Sequence, residues 1–233
     1  MSGQSTKLEE TPRKRKLLVG LFVTFLMMIV VALAYTVHSV FATVKLMQTH
    51  NDFKWVVMAL HRYHDKHSRF PPAVEFDEQG VPMHSWRTII EPYLETSDSH
   101  FRLSSYDFKQ RWNSEANQNS IHQHRFGDYS FQLLAVVGPH AAWGADGPHE
   151  MKDFKDGTSN TVMVIGIRNS GIAWNEPQDA VFDGQDILVQ GRPLEANQRI
   201  FALFADGTVR YGVYRHDMAP LFTIDADDTV PEW

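Results

Sequence analysis

The stretch from Leu17 to Phe41, LLVGLFVTFLMMIVVALAYTVHSVF, contains no Asp, Glu, Lys or Arg and follows directly on Arg13-Lys14-Arg15-Lys16. Its length and polarity decide how the rest of the chain is read. At about 1.5 Å per helical residue it reaches about 37 Å, enough to cross a hydrocarbon core of about 30 Å with some tilt. The basic cluster lies on one flank, and the other offers only Lys45 before Asp52. The positive-inside bias therefore places the N-terminus in the cytoplasm and everything after Phe41 outside it. Ala32-Leu33-Ala34 has the shape of a signal-peptidase site, so cleavage after Ala34 stays open. The run continues past it through Tyr35, Val37, Val40 and Phe41, which favours an uncleaved anchor.

Enough of the 233 residues follow the run to form one domain with its own core. The formal net charge is -6 although the first 16 residues are basic, so the exported part is acidic and nucleic acid is not an expected partner. With no cysteine, that part is held by packing, or by packing and a metal ion, rather than by disulfides.

Residues 1–16 read as a polar and basic cytoplasmic tail and 17–41 as the membrane helix. Leu46, Phe53, Val57 and Leu60 recur at helical spacing, and neither Gly nor Pro occurs between Leu21 and Phe70, so residues 42–72 extend the same helix as an amphipathic segment ending at Pro71-Pro72. Residues 73–233 form an extracytoplasmic α+β domain. Glu75 to Pro82 is turn-rich, Ser85 caps a short helix through Trp86 and Ile89, and Ser97 to Arg125 is mostly loop. Four strands are expected, at 129–137, 161–167, 200–205 and 208–214, in an antiparallel sheet. Asp206-Gly207 alone separates the last two, the spacing of a two-residue hairpin.

Several blocks stand in an order that resembles a bacterial family of prepilin-like proteins, the domain of unknown function 1559 family, also labelled solute-binding-like. They are Ala59-Leu60-His61-Arg62-Tyr63-His64-Asp65 with Arg69-Phe70-Pro71-Pro72, His84-Ser85-Trp86-Arg87 with Pro92-Tyr93-Leu94-Glu95, and Val136-Val137-Gly138-Pro139. Asp156-Gly157-Thr158-Ser159-Asn160-Thr161, then Trp174 with Pro177 and Asp179, and finally Phe204-Ala205-Asp206-Gly207-Thr208-Val209-Arg210 complete the series. The resemblance implies a long N-terminal helix, transmembrane and then amphipathic, packed on an antiparallel sheet as in type IV pilins and pseudopilins. It brings no catalytic residues. Prepilin-like members carry a basic residue followed by Gly-Phe-Thr-Leu-x-Glu for a prepilin peptidase. Here Gly20 is followed by Leu21-Phe22-Val23-Thr24-Phe25, so processing and filament incorporation lack their residues. Gly166 replaces a usual acidic residue.

His61, His64 and His67 form an H-x-x-H-D-x-H series with Asp65, and the first two share a helix side where zinc or copper could be held. The competing reading is a helix C-terminus that favours His, with His64 continuing the buried stripe. Asp146, Asp225, Asp227 and Asp228 could offer oxygen ligands to calcium, the one cofactor left open, although no EF-hand spacing is present. Asp156 to Asn160 lacks both the P-loop lysine and the nucleophile elbow, and reads as a turn. Arg87 and Arg210 are expected in ion pairs.

The leading expectation is a single-pass, pseudopilin-like envelope protein in a bacterial cytoplasmic membrane, not an enzyme, serving as an assembly or interaction module. Its partners would be the bilayer and other pilin-like or secretion-system subunits, docked through Trp174, Asp206 and Arg210. The alternative is a tethered receptor for a small solute or carbohydrate, built on Trp143 and Trp174.

Overall fold

The computed structural model describes residues 12–94, 106–119, 131–144 and 147–225, and the chain divides into two units, 1–45 and 46–233. The apolar run and its continuation belong to one helix, α1 (Pro12–His67). In the first unit Leu17, Phe22, Met27 and Val31 are each largely exposed. Among the described residues, α1 is the one helix long and apolar enough to cross a membrane. Four of its Ser and Thr hydroxyls are satisfied internally: Thr24 donates to the Leu21 carbonyl, Thr36 to Leu33, Ser39 to Thr36 and Thr43 to Ser39, at 2.8–3.0 Å. No polar side chain of that series needs water, which suits an apolar solvent.

In the second unit the outer part of α1 lays Phe53, Val56, Val57, Ala59 and Leu60 into the core. The helix ends at His67, short of Pro71-Pro72, because Ser68 turns to φ 59° and donates its N–H to the His64 carbonyl at 2.7 Å. A two-stranded hairpin follows, β1 (Val74–Phe76) with β2 (Pro82–Ser85), in the stretch expected to be only turn. Asp77 closes it by accepting the N–H groups of Gln79 and Val81. Helix α2 (Trp86–Ile89) begins at Ser85, whose Oγ accepts the Arg87 N–H, and α3 (Glu115–Asn119) is a single short helix.

One nine-stranded sheet contains β3 (Phe131–Val137), β4 (Trp143–Gly144), β5 (Gly147–Pro148), β6 (Val162–Arg168), β7 (Ala180–Phe182), β8 (Ile187–Val189), β9 (Arg192–Pro193), β10 (Arg199–Phe204) and β11 (Val209–Val213). Its order is β11-β10-β6-β3-β7-β8-β9, with β4 beside β3 and β5 beside β4. Pairing is antiparallel except where β3 meets β7 and β4. The expected four strands are its central β3, β6, β10 and β11, with residues 129–130 outside the described residues. The α+β class and the long helix on a mostly antiparallel sheet therefore stand.

Alternation along the strands splits the core into two layers. Phe131, Leu133, Ala135, Val164, Phe201 and Leu203 pack with α1, whereas Leu134, Ile165, Ile200, Ala202 and Phe204 pack with Met218, Leu221 and Phe222 of a closing 3-10 turn. Gly166 is explained by the first layer. The Phe53 ring lies edge-on to Phe201 at 4.8 Å, and a Cβ on residue 166 would sit 2.7 Å from Phe53 Cε2. A larger residue here would displace the helix side chain that anchors α1.

The β10–β11 connection differs from the expected two-residue hairpin. Gly207 N–H donates to the Phe204 carbonyl and Phe204 N–H to that of Thr208, and only Gly207, at φ 93°, is left-handed. This is a three-residue loop with a bulge at glycine, which needs one positive φ instead of two.

Candidate functional site

Arg87 makes five side-chain hydrogen bonds and is 1% exposed. The Ser85 cap fixes α2 so that the guanidinium points inward. Its Nε donates to the Trp174 carbonyl at 2.8 Å, Nη1 to the Leu133 carbonyl at 2.8 Å and to Asp179 Oδ1 at 2.6 Å. Nη2 donates to the carbonyls of Glu176 at 2.5 Å and Gln178 at 3.0 Å. All five donors of the guanidinium are thus used. Asp179 Oδ1 also accepts Trp86 Nε1 and the Ala135 N–H. Burial pushes the Asp179 carboxyl above the usual carboxylate range, against the pull of Arg87. Its Oδ2, like Asn175 Oδ1, has no hydrogen-bond partner among the described residues.

This pair does a strand's work. β7 pairs with β3 only at Val136 and Val137, and ahead of that point the Leu133 carbonyl and Ala135 N–H are taken by Arg87 and Asp179. The same guanidinium holds three carbonyls of the loop that carries Trp174. Half-buried Trp174 donates its Nε1–H to Glu91 at 3.0 Å. Trp143 is interior, 2% exposed, and donates to the Pro71 carbonyl. Two open clefts, of about 460 and 490 Å3, are lined by neither tryptophan.

The expected ion pair is present for Arg87. Exposed Arg210 differs: its guanidinium lies over the Phe204 ring at 4.7 Å, with no ion pair among the described residues. Asp206, also exposed, closes its own turn by accepting Thr208 N–H and Oγ1–H. That turn is docked through Ala205 N–H to the Thr161 carbonyl and Asp206 N–H to that of Thr158, so the Asp156 to Asn160 segment acts as a structural turn.

The three histidines go to separate partners. His61 Nε2 donates to the Ala205 carbonyl at 2.8 Å, His64 Nε2 accepts the Met151 N–H at 3.2 Å, and His67 Nε2 lies 2.7 Å from the Tyr93 hydroxyl. The three side chains are thus bonded to three different segments of the chain. Among the described residues no three His, Cys, Asp or Glu stand together as a metal group. Asp225 pairs with His140 Nδ1 at 3.0 Å, while Asp146, Asp227 and Asp228 lie outside the described residues. The structure therefore gathers His61 with the Asp206 turn, and keeps Trp143 and Trp174 in separate packing roles.

Sequence reasoning missed one buried polar unit. His84, 3% exposed, has Nδ1 at 2.8 Å from the Tyr106 hydroxyl and donates from Nε2 to the Phe108 carbonyl at 3.0 Å. Burial pushes the Tyr106 hydroxyl up to about 12. Only the family-like block containing His84 pointed toward it.

Residues 46–138 match the family model described as protein of unknown function (DUF1559), SBP_bac_10. The matched stretch runs from the outer part of α1 to the end of β3 and includes Arg87, and over it the chain is similar to that family. No curated protein and no solved structure matches the chain.

Proposed function

We propose that this chain is a membrane-anchored envelope protein of the pseudopilin kind, a non-enzymatic module for assembly or interaction on the outer side of a bacterial cytoplasmic membrane. One observation carries the reading. A single helix combines an exposed, internally satisfied apolar run with a segment whose Phe53, Val57 and Leu60 are built into the domain core. A helix of that kind fastens the domain to the bilayer, and the bilayer is its first partner. Pilin-like or secretion-system subunits are the expected protein partners. The Arg87 pair supports a scaffold because its donors are spent on main chain and on Asp179, leaving none for a substrate.

The test is alkaline carbonate extraction of membranes from cells making the full chain, followed by N-terminal sequencing and in-membrane crosslinking. The protein should stay in the pellet until detergent is added, begin upstream of Tyr35, and crosslink to envelope subunits or to itself. Recovery in the soluble fraction, or a mature N-terminus at Tyr35, overturns the anchor.

A further inference from the structure

Strand β11 ends the nine-stranded sheet on the β10 side, and among the described residues its outer side meets no other strand. The ladder shows which groups that side carries. Phe204 N–H donates to the Thr208 carbonyl and Tyr214 N–H to that of Gln198. Arg210 and Gly212, which fall between them at the same alternation, therefore bond inward to Ala202 and Ile200. Val209, Tyr211 and Val213 turn their N–H and C=O groups outward. His50 of α1 reaches the first of these, with Nε2 2.9 Å from the Val209 carbonyl. The main-chain groups of Tyr211 and Val213 have no partner among the described residues, and both residues are only half-buried.

An open edge is a template for an extended chain, and charges placed along it refuse the wrong one. Arg210 projects from one face of β11, its guanidinium 4.7 Å from the Phe204 ring. Arg199, opposite Val213 in the register, lies on the α1 side, 5.8 Å from the Tyr211 ring. Both arginines are exposed, and neither has an ion pair among the described residues. In a chain of net charge -6 this edge carries the opposite sign on both of its faces. A second copy of β11 would bring the same cations to the seam, whereas a strand with carboxylates would find them neutralised. Val209, Tyr211 and Val213 also share one face, an apolar strip for alternate residues of that strand. We propose that the β11 edge takes up an extended acidic segment of a partner protein as one further strand. Main-chain bonds supply the affinity and the two arginines select the carboxylates. Such a partner is one that the interaction module above would dock, so the site rests on that reading and gives it a surface.

The probe is a fluorescent peptide, acetyl-Glu-Glu-Val-Glu-Val-Glu-Glu-amide, titrated by anisotropy onto the full chain in nonionic detergent. Its controls are the same peptide with lysine for glutamate and the same peptide N-methylated at both valines, which withdraws ladder donors. The acidic peptide should bind, more weakly as salt rises, and at least about tenfold more tightly than either control. It should slow amide exchange at Tyr211 and Val213 and leave the β9 edge at the far end of the sheet unchanged. Arg210→Glu, at an exposed position, should still melt cooperatively and should shift the preference toward the lysine peptide. No binding at millimolar acidic peptide, equal binding of a control, unaltered exchange at Tyr211 and Val213, or an unchanged preference in Arg210→Glu overturns the site. Exchange at β11 that slows with protein concentration alone assigns the edge to a second copy and overturns the acidic partner. Detergent replaces the bilayer here, so a failure falls on the edge and leaves the anchor to its own test.

Discussion

Replacing Arg87 with methionine keeps a long, buried, apolar-stemmed side chain and withdraws five donors at once. Removing one member of a buried charge pair costs about 3–5 kcal/mol, because the other is left uncompensated. Of the four carbonyls also released, those of Trp174, Glu176 and Gln178 belong to half-buried residues and regain water as their loop loosens. The Leu133 carbonyl sits on a residue 1% exposed and adds a desolvation cost of about 1–3 kcal/mol. The expected loss is therefore about 4–8 kcal/mol, a large part of the about 5–15 kcal/mol that holds a typical domain. Urea unfolding of the full chain in detergent, followed by tryptophan emission, reads it directly. Trp86 reports locally, since its ring lies 5.4 Å from the guanidinium and its Nε1 bonds Asp179. Asp179→Leu alone and combined with Arg87→Met completes the cycle. The double variant should be more stable than the two single losses predict by about 1–3 kcal/mol, because no lone charge remains. Strict additivity, or an Arg87→Met loss below about 1 kcal/mol, refutes the account.

Gly166→Ala should lower stability by about 1–3 kcal/mol through overpacking against Phe53 and Phe201, seen as a lower urea midpoint at unchanged slope. Gly207→Ala makes only ordinary contacts, with His61 at 3.7 Å and Val57 at 3.8 Å, but must hold φ 93°, so it should cost about 1 kcal/mol, and a melting temperature equal to wild type would contradict the bulged loop. Backbone N–H groups, first that of Val81 for Asp77 and that of Asp186 for Asp183, hold both carboxyls below the usual range. A lowered folded-state value means stability that is present above the ordinary carboxylate pKa and lost as pH falls through the lowered one. Acid should therefore loosen the β1–β2 and β7–β8 turns first, and Asp77→Asn should flatten the acid limb of the urea midpoint against pH.

The long helix and central strands were legible because each repeats its signal: an uninterrupted apolar run, the Phe53, Val57, Leu60 spacing, and Val, Ile and Phe alternation over six or seven residues. The strands β7, β8 and β9, of two or three residues each, carry too few positions for a period to register. They exist because neighbouring strands accept them. Arg87 was legible as an ion-paired residue, whereas its partner lies 92 positions away and no local pattern connects them. The two-residue hairpin was inferred from Asp206-Gly207, but the ladder closes at Thr208 and transfers the turn by one residue. His61 and His64 show the same limit: helical spacing brought them to one flank, and distant carbonyl and amide groups then claimed them separately.

Arg87 and Asp179 cover the length of β3 that β7 leaves unpaired. Unpaired ladder groups are templates onto which a foreign extended segment can zip, the first step toward fibrils and swapped assemblies. Here the vacancy is sealed by two side chains that cannot propagate a ladder, so the sheet ends its own growth from within, and losing the seal would open a nucleus inside the sheet.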